Sequence, residues 1–85
     1  MSPTLVVLEW LDSCALHGGT WNDTEDAAAI SPSRCRSVGW ILREDKQAIV
    51  LASHFAEHQV GGEMCILKKT IVRRWTLANP IKKVM

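Results

Sequence analysis

Between Arg36 and Leu77 short apolar runs alternate with turn residues so closely that they can only close into a small barrel or a curled sheet. Ser37-Val38-Gly39-Trp40-Ile41-Leu42-Arg43 and Ala48-Ile49-Val50-Leu51-Ala52-Ser53 flank the turn Glu44-Asp45-Lys46-Gln47. Met64-Cys65-Ile66-Leu67 and Ile71-Val72-Arg73-Arg74-Trp75-Thr76-Leu77 flank Lys68-Lys69-Thr70. Each run is rich in branched and aromatic side chains, which fit a pleated surface, and each is bounded by turn formers. A further strand is expected upstream at Thr4–Asp12. Its apolar run is almost continuous, which predicts burial on both faces.

Strand alternation then assigns faces. Val38, Trp40 and Leu42 are expected on one side of their strand, with Gly39, Ile41 and Arg43 on the other. In the last strand Ile71, Arg73, Trp75 and Leu77 alternate with Val72, Arg74 and Thr76. Gly39 inside a strand predicts a sharp bend or a close backbone approach. Ser13–Cys35 interrupts the strand series. Within it Asn22–Ile30 predicts a short helix, with Asn22 or Asp23 as cap, acids in the first turn and three alanines behind them. Ala56–Gly62 reads as a loop. Residues 1–77 are expected to form one barrel domain with an inserted loop and helix at 13–35, followed by a tail at 78–85.

An 85-residue chain builds a small core with a thin margin of stability, which oligomerisation often widens. No run of about eighteen apolar residues is present to cross a membrane as a helix. The first residues lack a basic flank and meet Glu9 early, unlike a signal peptide, so a cytoplasmic location is expected. Cys14, Cys35 and Cys65 are odd in number and widely spaced, which points to reduced thiols. Cys65, in an apolar strand, is expected to be a buried small hydrophobe.

Charge divides the chain. Residues 1–33 hold Glu9, Asp12, Asp23, Glu25 and Asp26 and no Lys or Arg, whereas all ten Lys and Arg residues follow. Such asymmetry suggests an anionic partner for the basic part. The bland alternative is that acidic loop and basic strand face each other, within one barrel or across a subunit interface.

The first strand Val-Val-Leu-Glu-Trp-Leu-Asp, the opening Ser37-Val38-Gly39-Trp40 and the close Ile66-x-Lys68-x-x-Ile71 followed by Leu77 resemble a set of small phage proteins. Their barrels are similar to the Sm-like fold. The resemblance implies a five-stranded Sm-like barrel, all-β with one short helix. It also implies a single tight helical turn at Leu67–Thr70 and homo-oligomeric rings built by edge-strand pairing. RNA-binding Sm proteins carry an Asp-x-x-x-Asn loop and an Arg-Gly turn. Here the corresponding turns are Glu44-Asp45-Lys46-Gln47 and Lys68-Lys69-Thr70, so their RNA-binding residues are not carried over.

Three chemistries compete for what remains. Cys14-x-x-His17 has metal-ligand spacing, with Cys35, Cys65 and His54-x-x-x-His58 as completions, but the paired motifs of structural zinc sites are missing. No metal or cofactor is therefore assigned. A Cys-His-acid set drawn from Cys14 or Cys35, His17 and Asp12 has no supporting spacing, and no enzyme is expected. Anion binding is favoured. Lys68, Lys69, Arg73 and Arg74 cluster about the last turn and strand beside Trp75, and Arg34 and Arg36 precede the second strand. Arg supplies bidentate phosphate contacts and Trp a stacking face; the alternative is a solvated strand face with Trp75 in the core and the charges balancing the acidic loop. Trp10 and Trp40 are expected in the core, and Trp21 as an exposed aromatic anchor. The expectation is a non-enzymatic oligomeric binding module for a nucleotide-type molecule or single-stranded nucleic acid. In a phage, in the host cytoplasm, it would sequester a host defence signal. The alternative is a protein-interaction module, in which the acidic loop and helix dock on a host or virion protein.

Overall fold

The structure, a computed structural model, describes residues 3–15 and 21–78; His17 of the Cys14-x-x-His17 pair and the lysines of the tail lie outside them. The strands are β1 (Leu5–Asp12), β2 (Ser33–Glu44), β3 (Ala48–Ala52), β4 (His54–Phe55), β5 (Val60–Gly61), β6 (Met64–Leu67) and β7 (Ile71–Thr76). Helix α1 spans Thr24–Ala28, and a 3₁₀ turn at Lys68–Thr70 joins β6 to β7. Five strands form one antiparallel sheet in the order β6-β3-β2-β1-β7, and β4 and β5 form a separate ribbon within the expected 56–62 loop and its flank. The sheet is not closed. Its end strands β6 and β7 are not paired to each other, so the expected barrel is an open sheet, with both outer edges unpaired among the described residues.

β2 is the organising strand. Its first part pairs with β1 (Leu5 opposite Trp40, Asp12 opposite Ser33), and its last part pairs with β3 (Trp40 opposite Ala52, Glu44 opposite Ile49). It starts earlier than its apolar run because Ser33–Arg36 are carried by the β1 ladder and by ion pairs. The hand-over falls at Trp40, next to Gly39. A Cβ built at Gly39 would lie 2.8 Å from the Ala52 carbonyl oxygen, so the predicted close approach is real.

Paired residues of a ladder point to the same side. One face gathers Val6, Leu8, Ile49, Leu51 and Ile66, all buried, with Trp10, Ile41 and Ile71 packed against them. Trp10 Nε1–H donates to Ser37 Oγ at 3.0 Å, and Ser37 Oγ–H lies 3.6 Å from Met64 Sδ. The opposite face carries Leu5, Val7, Val38 and Trp40, the last stacked edge-on against Phe55 with ring centroids 5.2 Å apart. Both faces are apolar, as the strands' composition suggested. Cys65 belongs to this second face, opposite Val50 on an edge strand, and is exposed rather than buried.

Two β-bulges correct the simple alternation. Between Ile41 and Arg43 the β2–β3 register shifts, which leaves Leu42 as the extra residue. Arg43 thereby joins the outer face with Val50, and Glu44 turns inward opposite Ile49. Between Trp10 and Glu9 the β1–β7 register shifts likewise, with Val72 the extra residue. Ile71 therefore faces the core opposite Trp10, while Arg73 lies opposite Glu9 on the outer face, so the two do not share a side as expected.

Among the described residues no helix is long and apolar enough to cross a membrane. Helix α1 begins at Asp23, whose extended backbone (φ −60°, ψ 140°) makes it the cap residue, although its carboxylate makes no capping bond. None of the residues of α1 is buried.

Candidate functional site

The outer face of the central strands carries the densest functional chemistry. Glu9 on β1 stands between Arg36 on β2 and Arg73 on β7, directly opposite both in the ladders. Arg34, opposite Leu11, completes the group. Arg36 Nε–H donates to Glu9 Oε1 at 3.0 Å and Arg34 Nη1–H to Glu9 Oε2 at 2.9 Å. The Glu9 side chain is only 2% exposed, whereas those of Arg34 and Arg36 are 61% and 70% exposed. The Arg36 hydrogen bond, seconded by Arg34, holds the Glu9 carboxyl below the usual carboxylate range against the opposing effect of burial. Arg73 makes no ion pair among the described residues. Two guanidinium groups thus share one carboxylate, with a third arginine opposite it in the ladder, and the patch keeps a positive excess.

Aromatic and apolar surface adjoins it. Trp75 is opposite Val7, which is in turn opposite Val38, one row along the same face. Trp75 is 40% exposed and Val38 54%, so neither belongs to the core. Of the expected ligand residues, the fold brings together Arg36, Arg73 and Trp75. It brings in Arg34, which the sequence reading sets beside Arg36, and adds Glu9, which that reading does not place in the site.

The other basic residues lie elsewhere. Lys68 Nζ and Arg74 Nη1 both reach Glu44 Oε2, at 2.7 and 2.9 Å. These contacts tie the end of β2 and the 3₁₀ turn to β7 across the inner face, where the open sheet has no ladder to join them. Hydrogen bonds from Arg74 and then Lys68 lower the Glu44 carboxyl to about 2. Lys68 and Arg74 are thus committed to a structural contact. Lys69 lies instead in a groove of about 430 Å³ with Lys46, Gln47 and Leu67. Neither lysine is in an ion pair among the described residues. Asp45 beside them is occupied by the turn, since its Oδ1 accepts the backbone N–H groups of Gln47 (2.8 Å) and Ala48 (2.9 Å). Trp21 stands apart, 93% exposed, ahead of α1.

Among the described residues no group of three or more His, Cys, Asp and Glu side chains is placed to hold a metal ion. Compared with known protein families, curated proteins and solved structures, the chain finds no significant match.

Proposed function

We propose that this protein is a non-enzymatic binding module that holds a phosphate-bearing ligand on its outer sheet face, at Arg34, Arg36 and Arg73 with Trp75 alongside. The observation that carries this reading is the imbalance around Glu9: one buried carboxylate orients two arginines by direct hydrogen bonds, and a third lies opposite it in no ion pair among the described residues. A guanidinium held in place loses less entropy on meeting a phosphate than a free one, and it presents a bidentate fork. The indole of Trp75, one row away, offers a stacking face for a base. An open face of this kind fits single-stranded nucleic acid, with backbone over the arginines and a base on the tryptophan. A free nucleotide satisfies the same chemistry. Sequestration of a host signalling nucleotide is the role that the phage resemblance adds.

The module is proposed to act as an oligomer. β6 has no charged residue, and both end strands offer unpaired backbone edges bearing exposed apolar side chains, among them Met64, Leu67, Val72 and Trp75. Such edges are templates for pairing with another chain. Pairing β6 of one copy with β7 of the next would complete between subunits the Sm-like closure that the single chain lacks.

Fluorescence anisotropy with a labelled oligothymidylate and with a labelled nucleotide tests the ligand assignment. Binding should weaken steeply with added salt, and Arg36→Glu with Arg73→Glu should cost about tenfold or more and flatten the salt dependence. Unchanged affinity in a variant whose circular dichroism is native would remove the outer face as the site. A second reading, docking of the acidic segment on another protein, is favoured by one observation: α1 has no buried residue while Trp21 beside it is almost fully exposed.

A further inference from the structure

The segment from Trp21 to Pro32 is an arm without a seat. All its residues are exposed, and among the described residues its hydrogen bonds, such as Ala27 N–H to the Asp23 carbonyl at 2.9 Å, stay within the segment. A five-residue helix is far below the length at which helices persist alone in water, so its stability must come from packing. Its chemistry is one-sided: Asp23, Glu25 and Asp26 are in no ion pair among the described residues, and Trp21 and Ile30 are exposed apolar groups.

The sheet's own charges explain why the arm stays unmatched. Glu9 takes Arg34 and Arg36, and Glu44 takes Lys68 and Arg74. The acidic loop does not answer the basic strands of its own chain. Besides Arg73 on the Glu9 face, what remains is the groove of about 430 Å³ lined by Gln47, Leu67 and the lysines Lys46 and Lys69, both without ion pairs among the described residues. Leu67 is 51% exposed there, an apolar floor between two cations.

We infer that the arm Trp21–Pro32 of one copy docks in the Lys46–Lys69 groove of a second copy, its carboxylates against the lysines and an apolar residue of the arm over Leu67. The occupant is a second copy because the two surfaces match in charge and polarity and neither is in an ion pair among the described residues. Exposed salt bridges alone add little, so burial of Trp21 or Ile30 supplies most of the attraction and the charges set the register. The contact is heterologous, and reciprocal exchange gives a dimer while head-to-tail exchange gives a ring. It is independent of the arginines around Glu9, so it survives if the anion-binding reading fails.

Zero-length carbodiimide coupling of a mixture of ¹⁴N- and ¹⁵N-labelled protein tests this directly, since it joins carboxylates to lysines in contact. Mass spectrometry should find mixed-isotope peptides linking Asp23, Glu25 or Asp26 to Lys46 or Lys69. The link should weaken with added salt and vanish in Lys46→Glu, Lys69→Glu protein. It should return when that change is combined with Asp23→Lys, Glu25→Lys and Asp26→Lys, read with the amine and acid roles exchanged. Links found only within one isotope, or mixed links that survive the charge reversal, would overturn the proposal. Absence of any link in protein that sediments as a monomer would do the same. All these substitutions lie on exposed positions, and circular dichroism verifies that each variant is folded.

Discussion

Glu44 is where single-residue energetics can be read most directly. Its carboxyl titrates at about 2 in the folded chain against an ordinary 4.5, because Arg74 and Lys68 donate to it. A depressed acid contributes stability that is complete above its unfolded value and lost as pH falls through the folded one. Denaturant midpoints should therefore hold steady down to about pH 4.5 and fall from there toward pH 2. Glu9, depressed by Arg36 and Arg34, adds to the same acid limb. Glu44→Gln should cost about 1 kcal/mol at neutral pH, as expected of a partly exposed network, and make the acid limb shallower. A midpoint–pH curve identical in the variant would show that the Glu44 contacts do not hold the sheet together. Core positions should cost more. Leu8 is fully buried within the inner cluster, so Leu8→Ala should lose about 2–5 kcal/mol in urea denaturation.

At the scale of elements, the glycines of the strands separate packing from conformation. Gly39→Ala drives a Cβ against the Ala52 carbonyl at the β2 hand-over, backbone that cannot step aside, and should cost about 1–3 kcal/mol. Gly61→Ala meets only His54 at 3.6 Å, ordinary contact, and should change stability by less than about 1 kcal/mol. Thermal denaturation of the two variants side by side checks the contrast. The same elements show what the sequence could convey. Gly39, the turn at Glu44–Gln47 and the tight turn at Lys68–Thr70 were legible because each is a local requirement written in one or a few residues. The bulges at Leu42 and Val72 were not, since a one-residue insertion in a ladder leaves no compositional trace in strands apolar on both faces. Yet the bulges aim Glu44 at Arg74 and Arg73 toward the Glu9 face. The place of Glu9 in the site is hidden in the sequence for a related reason. Its burial depends on three strands meeting in register, and an acid in an apolar run does not reveal which arginines lie opposite it. The charge division along the chain was plain. How the charges pair was a property of the ladders.

The whole molecule poses a problem of open edges. Sheets of natural proteins guard their ends with charge, proline or cover, and β7 conforms with Arg73 and Arg74, but β6 reads Met-Cys-Ile-Leu without a charge. Cys65 is the informative position on this edge. It is exposed on the outer face, and it belongs neither to the arginine cluster nor to the Lys46–Lys69 groove. Cys65→Lys places a cation on the unguarded edge without emptying the core, so its effect on monomer stability should stay within about 0.5 kcal/mol. If copies pair through β6, the variant should show a lower mass by light scattering than the unaltered protein at the same concentration. Backbone pairing of this kind depends little on ionic strength, whereas the arm contact between Asp23–Asp26 and the lysines should be screened by it. Mass measured at low and high salt therefore sorts the two interfaces. An assembly lost only with Cys65→Lys is built by edges, and one lost only with salt is built by arms. A mass unchanged by the edge substitution at every salt concentration would remove strand pairing as the route to oligomers and leave the β6 edge exposed in the assembled state.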